Sequence, residues 1–446
     1  MDIQIFSTAP KKQKTAQKKT VKKDKDTLNS DATLPTKFSD FGFDSWVIQV
    51  LQSVAIDKPT PIQCQAIPKI FDGCDLIASA KTGSGKTAAF ALPILQSLSR
   101  DPFGVFSLVL TPTRELAHQI AEQFKIYGKD IHLKLSVVVG GLDMMAQARE
   151  LVGRPHVVVA TPGRLADIFN SCSDVLPFHA LRFLVLDEAD RLLDSSFRPD
   201  LDVIFRNLGP KKQTLLFSAT MPKSMDDLEF LKLKNLAKCQ VTEEYGTVDK
   251  IQQKYILIPS RIRIAYLVYL LQNDWKEKSV IIFVGKCKTA EMLRQILRKF
   301  EIKVTALHSQ MSQYDRTGSL AKFKGNIVPV LISTDVGSRG LDIPDVQVVI
   351  NFDIPCDAKD YVHRIGRTAR AGRGGIALSI VSEHDIELIQ NIESKIKKQL
   401  DEYEVSEDSV LEILGKVMEA RREALMNMED HEFGKRRKIN EQKRKK

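Results

Sequence analysis

The feature that most constrains this chain is a recurrence. Short apolar runs of strand character are each followed at once by a polar or glycine-rich segment, with amphipathic helical stretches between them. Leu76-Ile77-Ala78 leads into AKTGSGKT, Leu108-Val109-Leu110 into TPTRELA, Val157-Val158-Val159 into ATPGR, Phe183 to Leu186 into DEAD, and Leu215-Leu216-Phe217 into SAT. Alternation of this kind is the pattern of α/β proteins with parallel sheets. In open sheets of that class ligands bind outside the carboxyl ends of the strands, so these segments are expected to converge on one surface.

A second series starts near residue 250, with strand-like runs at 280–284 (VIIFV), 329–332 (PVLI), 348–350 (VVI) and 376–381 (IALSIV). A chain of 446 residues, 43% hydrophobic and 27% charged, can bury two α/β cores of roughly 150 to 200 residues each. The segment 241–250, VTEEYGTVDK, is polar and lacks helical periodicity, and is read as the linker. The expected organisation is a basic disordered leader over 1–36, a first domain over 37–240, that linker, a second domain over 251–400, and a helical extension with a basic disordered tail over 401–446. In the extension Val410, Leu414, Val417, Leu425 and Met428 recur at helical spacing behind a cap at Ser406 or Ser409. That helix either packs on the second domain or offers its apolar face to a partner.

No run of about 18 apolar residues occurs, and the lysine-rich start lacks the apolar core of a signal peptide, so a soluble protein is expected. The leader also lacks arginine and holds Asp2, Asp24 and Asp26, which disfavours mitochondrial import. Cys64, Cys74, Cys172, Cys239, Cys287 and Cys356 form no close pair in sequence, which argues against a zinc site or a disulfide framework and fits a reducing compartment. The net charge of +10 sits at the ends: residues 1–30 hold eight Lys and three Asp, residues 432–446 hold eight Lys or Arg and two Glu, and the rest is nearly neutral. Nucleic acid held by the middle must therefore be held by locally arranged groups. The tails either add salt-sensitive attraction to phosphates or are simply solvated.

Ala80-Lys81-Thr82-Gly83-Ser84-Gly85-Lys86-Thr87 lies between a strand and a helix, where backbone N–H groups and the helix N-terminus cradle phosphates. Lys86 is expected to reach the β- and γ-phosphates of a nucleotide and Thr87 to bind Mg²⁺. The first position is Ala80 where the general pattern has glycine, and the plain alternative is a glycine turn opening a helix. One hundred residues on, Asp187-Glu188-Ala189-Asp190 ends a strand. Two adjacent carboxylates there suit divided labour, with Asp187 holding Mg²⁺ and Glu188 orienting and activating a water.

With SAT at 218–220 and HRIGRTAR at 363–370, the tetrad makes residues 38 to about 385 resemble the DEAD-box ATP-dependent RNA helicases. The resemblance implies two tandem RecA-like P-loop domains that bind ATP, Mg²⁺ and RNA. Phe38, twenty-five residues before Gln63 in KPTPIQ, resembles the adenine-recognition element, with Gln63 reading the base edge and Phe38 stacking on its face. Thr113 and Arg114, Gly140 and Gly141, Thr161 and Arg164 in the first half, and Arg316 and Thr334 in the second, resemble the RNA-contacting elements. Arginines, hydroxyls and glycine N–H groups suit phosphate and ribose contacts that are largely independent of base identity; the preference for RNA itself is carried by the resemblance. Arg367 and Arg370 resemble arginine fingers, with His363 in the same catalytic element. Gly340 and Asp342 resemble the element beside the ribose of ATP, and Ser218 and Thr220 the coupling element. Ala55, Gly337 and Ala369 depart from the family pattern, touching backbone geometry rather than any charge.

The layout implies a divided active site, with Lys86, Thr87, Asp187 and Glu188 on one domain and the arginines on the other, so that ATP and RNA both favour closure. The resemblance is close to nucleolar members of small-subunit ribosome biogenesis. It implies a monomer in the nucleus and nucleolus that acts in ribosomal RNA processing, with a pre-ribosomal protein cofactor and no membrane. Two alternatives remain: a nucleotide-gated RNA clamp with little turnover, which Glu188→Gln would leave unchanged, and a DNA translocase, which stimulation by DNA over RNA would reveal.

Overall fold

The computed structural model describes residues 35–80, 83–172, 177–218, 230–241, 251–335, 346–368 and 374–430, and the structural statements below concern these. Lys81, Thr82, Thr220, Gly340, Asp342, Arg370, Gly337 and Ala369, almost all of the leader and linker, and the basic tail from residue 431 lie outside them. No helix among the described residues is long and apolar enough to cross a membrane.

The apolar runs form two seven-stranded, wholly parallel sheets. The first holds β1 (Asp75–Ser79), β2 (Ser107–Leu110), β3 (Leu135–Val138), β4 (Val157–Ala160), β5 (Phe183–Asp187), β6 (Gln213–Ser218) and β7 (Leu236–Gln240). The second holds β8 (Ile251–Leu257), β9 (Val280–Val284), β10 (Val304–Leu307), β11 (Val330–Thr334), β12 (Val348–Asn351), β13 (Gly375–Val381) and β14 (Asp401–Glu402). β1, β2, β4 and β5 are buried at every residue, as are β9, β11 and β12, because helical crossovers cover both sheet faces.

The first sheet runs β3-β4-β2-β5-β6-β1-β7 and the second β10-β11-β9-β12-β13-β8-β14, the same order shifted by seven. This order sorts the motifs. The phosphate loop, the acidic tetrad and SAT follow β1, β5 and β6, which are neighbours. The elements expected to touch RNA follow β2, β3 and β4, which are neighbours on the other side. One end of one sheet thus carries two adjoining sites.

Helix Lys86–Arg100 fills the first core, with Phe90 buried 5.1 Å from Phe217 on β6, ring centre to ring centre. Helix Glu407–Asp430 buries Val410, Val417, Ala420 and Ala424 in the core of the second sheet, against helices Arg263–Gln272 and Cys287–Lys299, and Glu423 pairs with Lys299. Of the two expectations for this extension, packing on the second half holds. Helix Ser45–Ser53 ends with Ala55 N–H donating to Gln52 O and Ile56 N–H to Leu51 O, a closure that puts Ala55 at φ +54°. Glycine suits that left-handed position, which gives the family's usual residue there a physical reason.

Candidate active site and nucleic-acid interface

The phosphate loop turns on Gly83 (φ +78°) and Gly85 (φ +84°), immediately before helix Lys86–Arg100. Gln63 holds the loop in place: its Nε2 donates to Gly85 O at 3.0 Å, and its Oε1 accepts from Thr60 N–H at 2.9 Å. An amide has two donor hydrogens and two acceptor lone pairs, so one of each remains for a base edge. A Cβ at Gly85 would sit 2.5 Å from Gln63 Nε2, so glycine is required there. Phe38 lies in the 3₁₀ turn Phe38–Phe41, which is drawn onto helix Pro61–Phe71 by the Cys64 thiol donating to Pro35 O at 3.2 Å. Its ring is 4% exposed and packs 6.0 Å from that of Phe41, so little of its face is open. Ala80 N–H donates to Ser218 O at 3.1 Å, joining the loop to the SAT strand.

Lys86 Nζ donates to Ala80 O at 2.6 Å. Burial lowers its pKa, while Asp187, Glu188 and Asp190 work in the opposite sense. Asp187, 5% exposed, is lifted by burial to about 6 against the pull of Lys86. Glu188 sits at φ +55° at the end of β5 and is lifted to about 7, first by burial and then by Asp187. Two buried carboxylates raised in this way are ready for a cation. The described residues contain no group of three metal-ligating side chains, so the donor set fits Mg²⁺, which keeps several waters and binds through one or two carboxylates plus substrate phosphates. Thr87, in the first turn of the helix, is half-buried, and Ser84 Oγ is buried with no partner, as a phosphate cradle requires.

Arg367 comes from the second half, after helix Ala358–Ile365, and is buried. Its charge acts on both Lys86 and Glu188, lowering the pKa of each. The structure thus brings Lys86, Asp187, Glu188 and Arg367 together from two sheets. His363 is half-buried within that helix. Arg364 was expected only as one of three arginines; it is consumed structurally. Its Nε and Nη2 donate to Asp335 at 2.7 Å each, and its Nη1 donates to Asn351 Oδ1 at 3.2 Å and Asp353 O at 2.6 Å.

On the other side of the sheet end, the Arg114 guanidinium lies on the Gly140-Gly141 turn. A Cβ on either glycine would stand 2.9 or 2.4 Å from it, and Gly141 has φ +89°. Arg164 Nη1 donates to Leu142 O at 2.8 Å, and Arg114 feels the charges of both Arg164 and Arg316. Thr161 N–H donates to Val138 O, and Thr113 Oγ1 caps helix Arg114–Tyr127 by accepting from Leu116 N–H at 3.4 Å. Thr334 Oγ1, buried at the end of β11, has no partner. For Arg316 the expectation changes. It is buried against Glu115 of the first half, with Nη2 to Oε1 at 2.7 Å, while Gln313 Nε2 donates to the same oxygen at 3.3 Å. Arg316 adds to the positive field of the interface, but its first partner is a carboxylate across the seam. Glu115 Oε2, Gln313 Oε1 and Arg316 Nε remain buried and unpartnered there, marking a seam with unused polar capacity.

Comparison with known proteins matches residues 60–228 to the DEAD/DEAH box helicase family model and residues 262–372 to the helicase conserved C-terminal domain. The human protein named probable ATP-dependent RNA helicase DDX49 is 48% identical over 412 residues, spanning 91% of this chain and 85% of that one. The chain belongs to the DEAD-box helicase family. ATP-dependent RNA helicase dbp8 of Schizosaccharomyces pombe is 49% identical over 418 residues, covering 91% of this chain and 92% of the relative. The Saccharomyces cerevisiae DEAD-box fold of Dbp5, solved bound to RNA and ADP BeF3, superposes with TM-score 0.74 at 28% identity, covering 86% of this chain and all of that one. Against this DEAD-box frame, sequence reasoning missed Glu115, Asp335 and the structural use of Arg364. Glu115 was quoted within TPTRELA, but nothing local says that its carboxylate meets an arginine two hundred residues away.

Proposed function

We propose that this DEAD-box protein is an RNA-stimulated ATPase that unwinds short RNA duplexes by closing two halves around ATP and single-stranded RNA. The observation that carries the proposal is Arg367 acting on Lys86 and Glu188 from across the seam. Neither half holds a full set of groups for phosphoryl transfer. The left-handed glycines and the start of helix Lys86–Arg100 bind the phosphates, and Lys86 neutralises them. Glu188, titrating about 7, is half ionised near neutral pH and is suited to orient a water and take its proton. Arg367 meets the charge that develops on the transferred group, a contribution worth roughly 10³ to 10⁵ in rate in related systems. Asp187 and Thr87 are the residues for Mg²⁺, which when bound neutralises the phosphates.

Arg114, Arg164 and the Gly140-Gly141 turn take RNA phosphates on the first half, and Thr334 offers a free hydroxyl on the second. A strand gripped by both halves is held in a path that a regular duplex cannot follow, so closure separates a few pairs and hydrolysis releases the strand. The boundaries 37–240 and 251–400 are proposed for the two domains, with residues 241–250 between them. The further reading is a monomer in the nucleolus that acts on ribosomal RNA with a pre-ribosomal protein cofactor. It rests on the likeness of both domains and the basic extension to nucleolar relatives.

The test is displacement of a labelled strand from a short RNA duplex. The proposal expects displacement with ATP by the wild type, and none by Glu188→Gln despite retained ATP binding. Displacement by Glu188→Gln at the wild-type rate sinks it.

A further inference from the structure

Tyr314 is the most exposed large hydrophobic side chain among the described residues, at 88%. It occupies the second position of helix Gln313–Lys324, between the two residues that close the seam. Gln313 and Arg316 both reach Glu115, so the start of this helix is fixed against the first half by buried bonds of 3.3 and 2.7 Å. Arg316 in turn lies within electrostatic reach of Arg114, whose guanidinium covers the Gly140-Gly141 turn. The ring of Tyr314 therefore stands at the edge of the arginine cluster, and neither ring nor hydroxyl has a partner among the described residues. The adjacent Asp315 carboxylate is occupied locally, accepting from Ser312 Oγ at 2.6 Å, and sits at the helix N-terminus.

A tyrosine left in water forgoes the burial of roughly 150 to 250 Å² of amphipathic surface, and its two side-chain torsions make it cheap to order on contact. The groups assigned above to RNA are arginines, glycines and hydroxyls, which meet phosphate and ribose and leave the faces of the bases untouched. An aromatic ring beside such a groove supplies the missing contact without reading sequence, because every base has a π face.

We propose that Tyr314 is a stacking platform for one unpaired base of the bound RNA. This rests on the RNA-binding reading above and deepens it. Because Gln313 and Arg316 set the ring in place only when the two halves meet, the stack belongs to the closed state and adds to its preference for single strands.

The test uses the full chain with a non-hydrolysable ATP analogue and two strands of equal length, a single-stranded RNA and a phosphodiester strand lacking bases. Wild type is expected to favour the base-bearing strand, and Tyr314→Ala to lose roughly 5- to 150-fold in affinity for it, the range for one base–aromatic stack. Its affinity for the baseless strand should not change, and Tyr314→Phe should behave as wild type. Matching thermal midpoints show that the variants fold alike. If Tyr314→Ala binds the base-bearing strand as tightly as wild type, or loses affinity equally for both strands, the platform is refuted; unaltered binding leaves the ring to a protein partner instead. If the wild type binds neither strand, the underlying RNA-binding reading fails, a result separable from a defect confined to Tyr314→Ala.

Discussion

Replacing Arg316 by alanine probes the seam most sharply. The pair with Glu115 is 2.7 Å long, and both side chains are 6% exposed. Breaking a buried pair by removing one partner costs about 3–5 kcal/mol, because the survivor keeps its desolvation penalty without compensation. Here the penalty belongs to the closed arrangement, since Glu115 is on the first half and Arg316 on the second, and each regains water when the halves part. Arg114 repels Arg316, so removing Arg316 also relieves a like-charge contact. The net loss is therefore set below that range, at roughly 2–3 kcal/mol, or about 30- to 150-fold at 1.4 kcal/mol per tenfold. The assay is the dissociation constant for single-stranded RNA with and without a non-hydrolysable ATP analogue. The loss is expected with the analogue and should be small without it. The double variant Glu115→Ala/Arg316→Ala should lose less than the sum of the single losses, as contacting residues do. Equal losses with and without nucleotide, or strict additivity, refute the account of a latch formed on closure.

Three other outcomes are expected. Gly141→Ala must strain a left-handed residue and push Arg114 aside; RNA affinity should fall, and its log–log salt dependence should become shallower by about 0.7 as one phosphate contact on a single strand is lost. Ala55→Gly relieves a left-handed alanine costing roughly 1–2 kcal/mol, offset by the greater freedom of glycine in the unfolded chain, so chemical denaturation should show a net gain of about 0.5–1 kcal/mol. Glu188 has a folded pKa of about 7, above its ordinary 4.5, so the folded state binds the extra proton between those values. Free-protein stability should therefore rise as pH falls from about 7 toward 4.5, and that share of the slope should vanish in Glu188→Gln. Over the same fall, kcat/KM should drop as the base is protonated, a profile read from initial ATPase rates.

Much of this architecture was legible because parallel sheets are written plainly. Their strands are continuous apolar runs, and their ligand groups follow the carboxyl ends, as TGSGKT follows β1 and EAD follows the end of β5. What sequence left open was partnership. Arg364 and Arg367 lie three residues apart in one motif, yet the first is bound by Asp335 and the second acts on Glu188. Spacing along a helix fixes direction, but the partner comes from another strand or another domain. The same limit applied to Arg316, whose carboxylate lies on the opposite half, and to Val410 and Val417, whose periodicity fits a core face and a docking face equally well. At Ala55 the left-handed backbone explains a departure that sequence could only note.

The central claim is that one closed state serves both ligands. It is tested most directly by measuring ATP affinity of the hydrolysis-deficient Glu188→Gln protein alone and with saturating single-stranded RNA. Linkage through closure predicts tightening of roughly 5- to 150-fold, with RNA affinity raised by the same factor when ATP is saturating. An ATP dissociation constant that RNA does not change contradicts it.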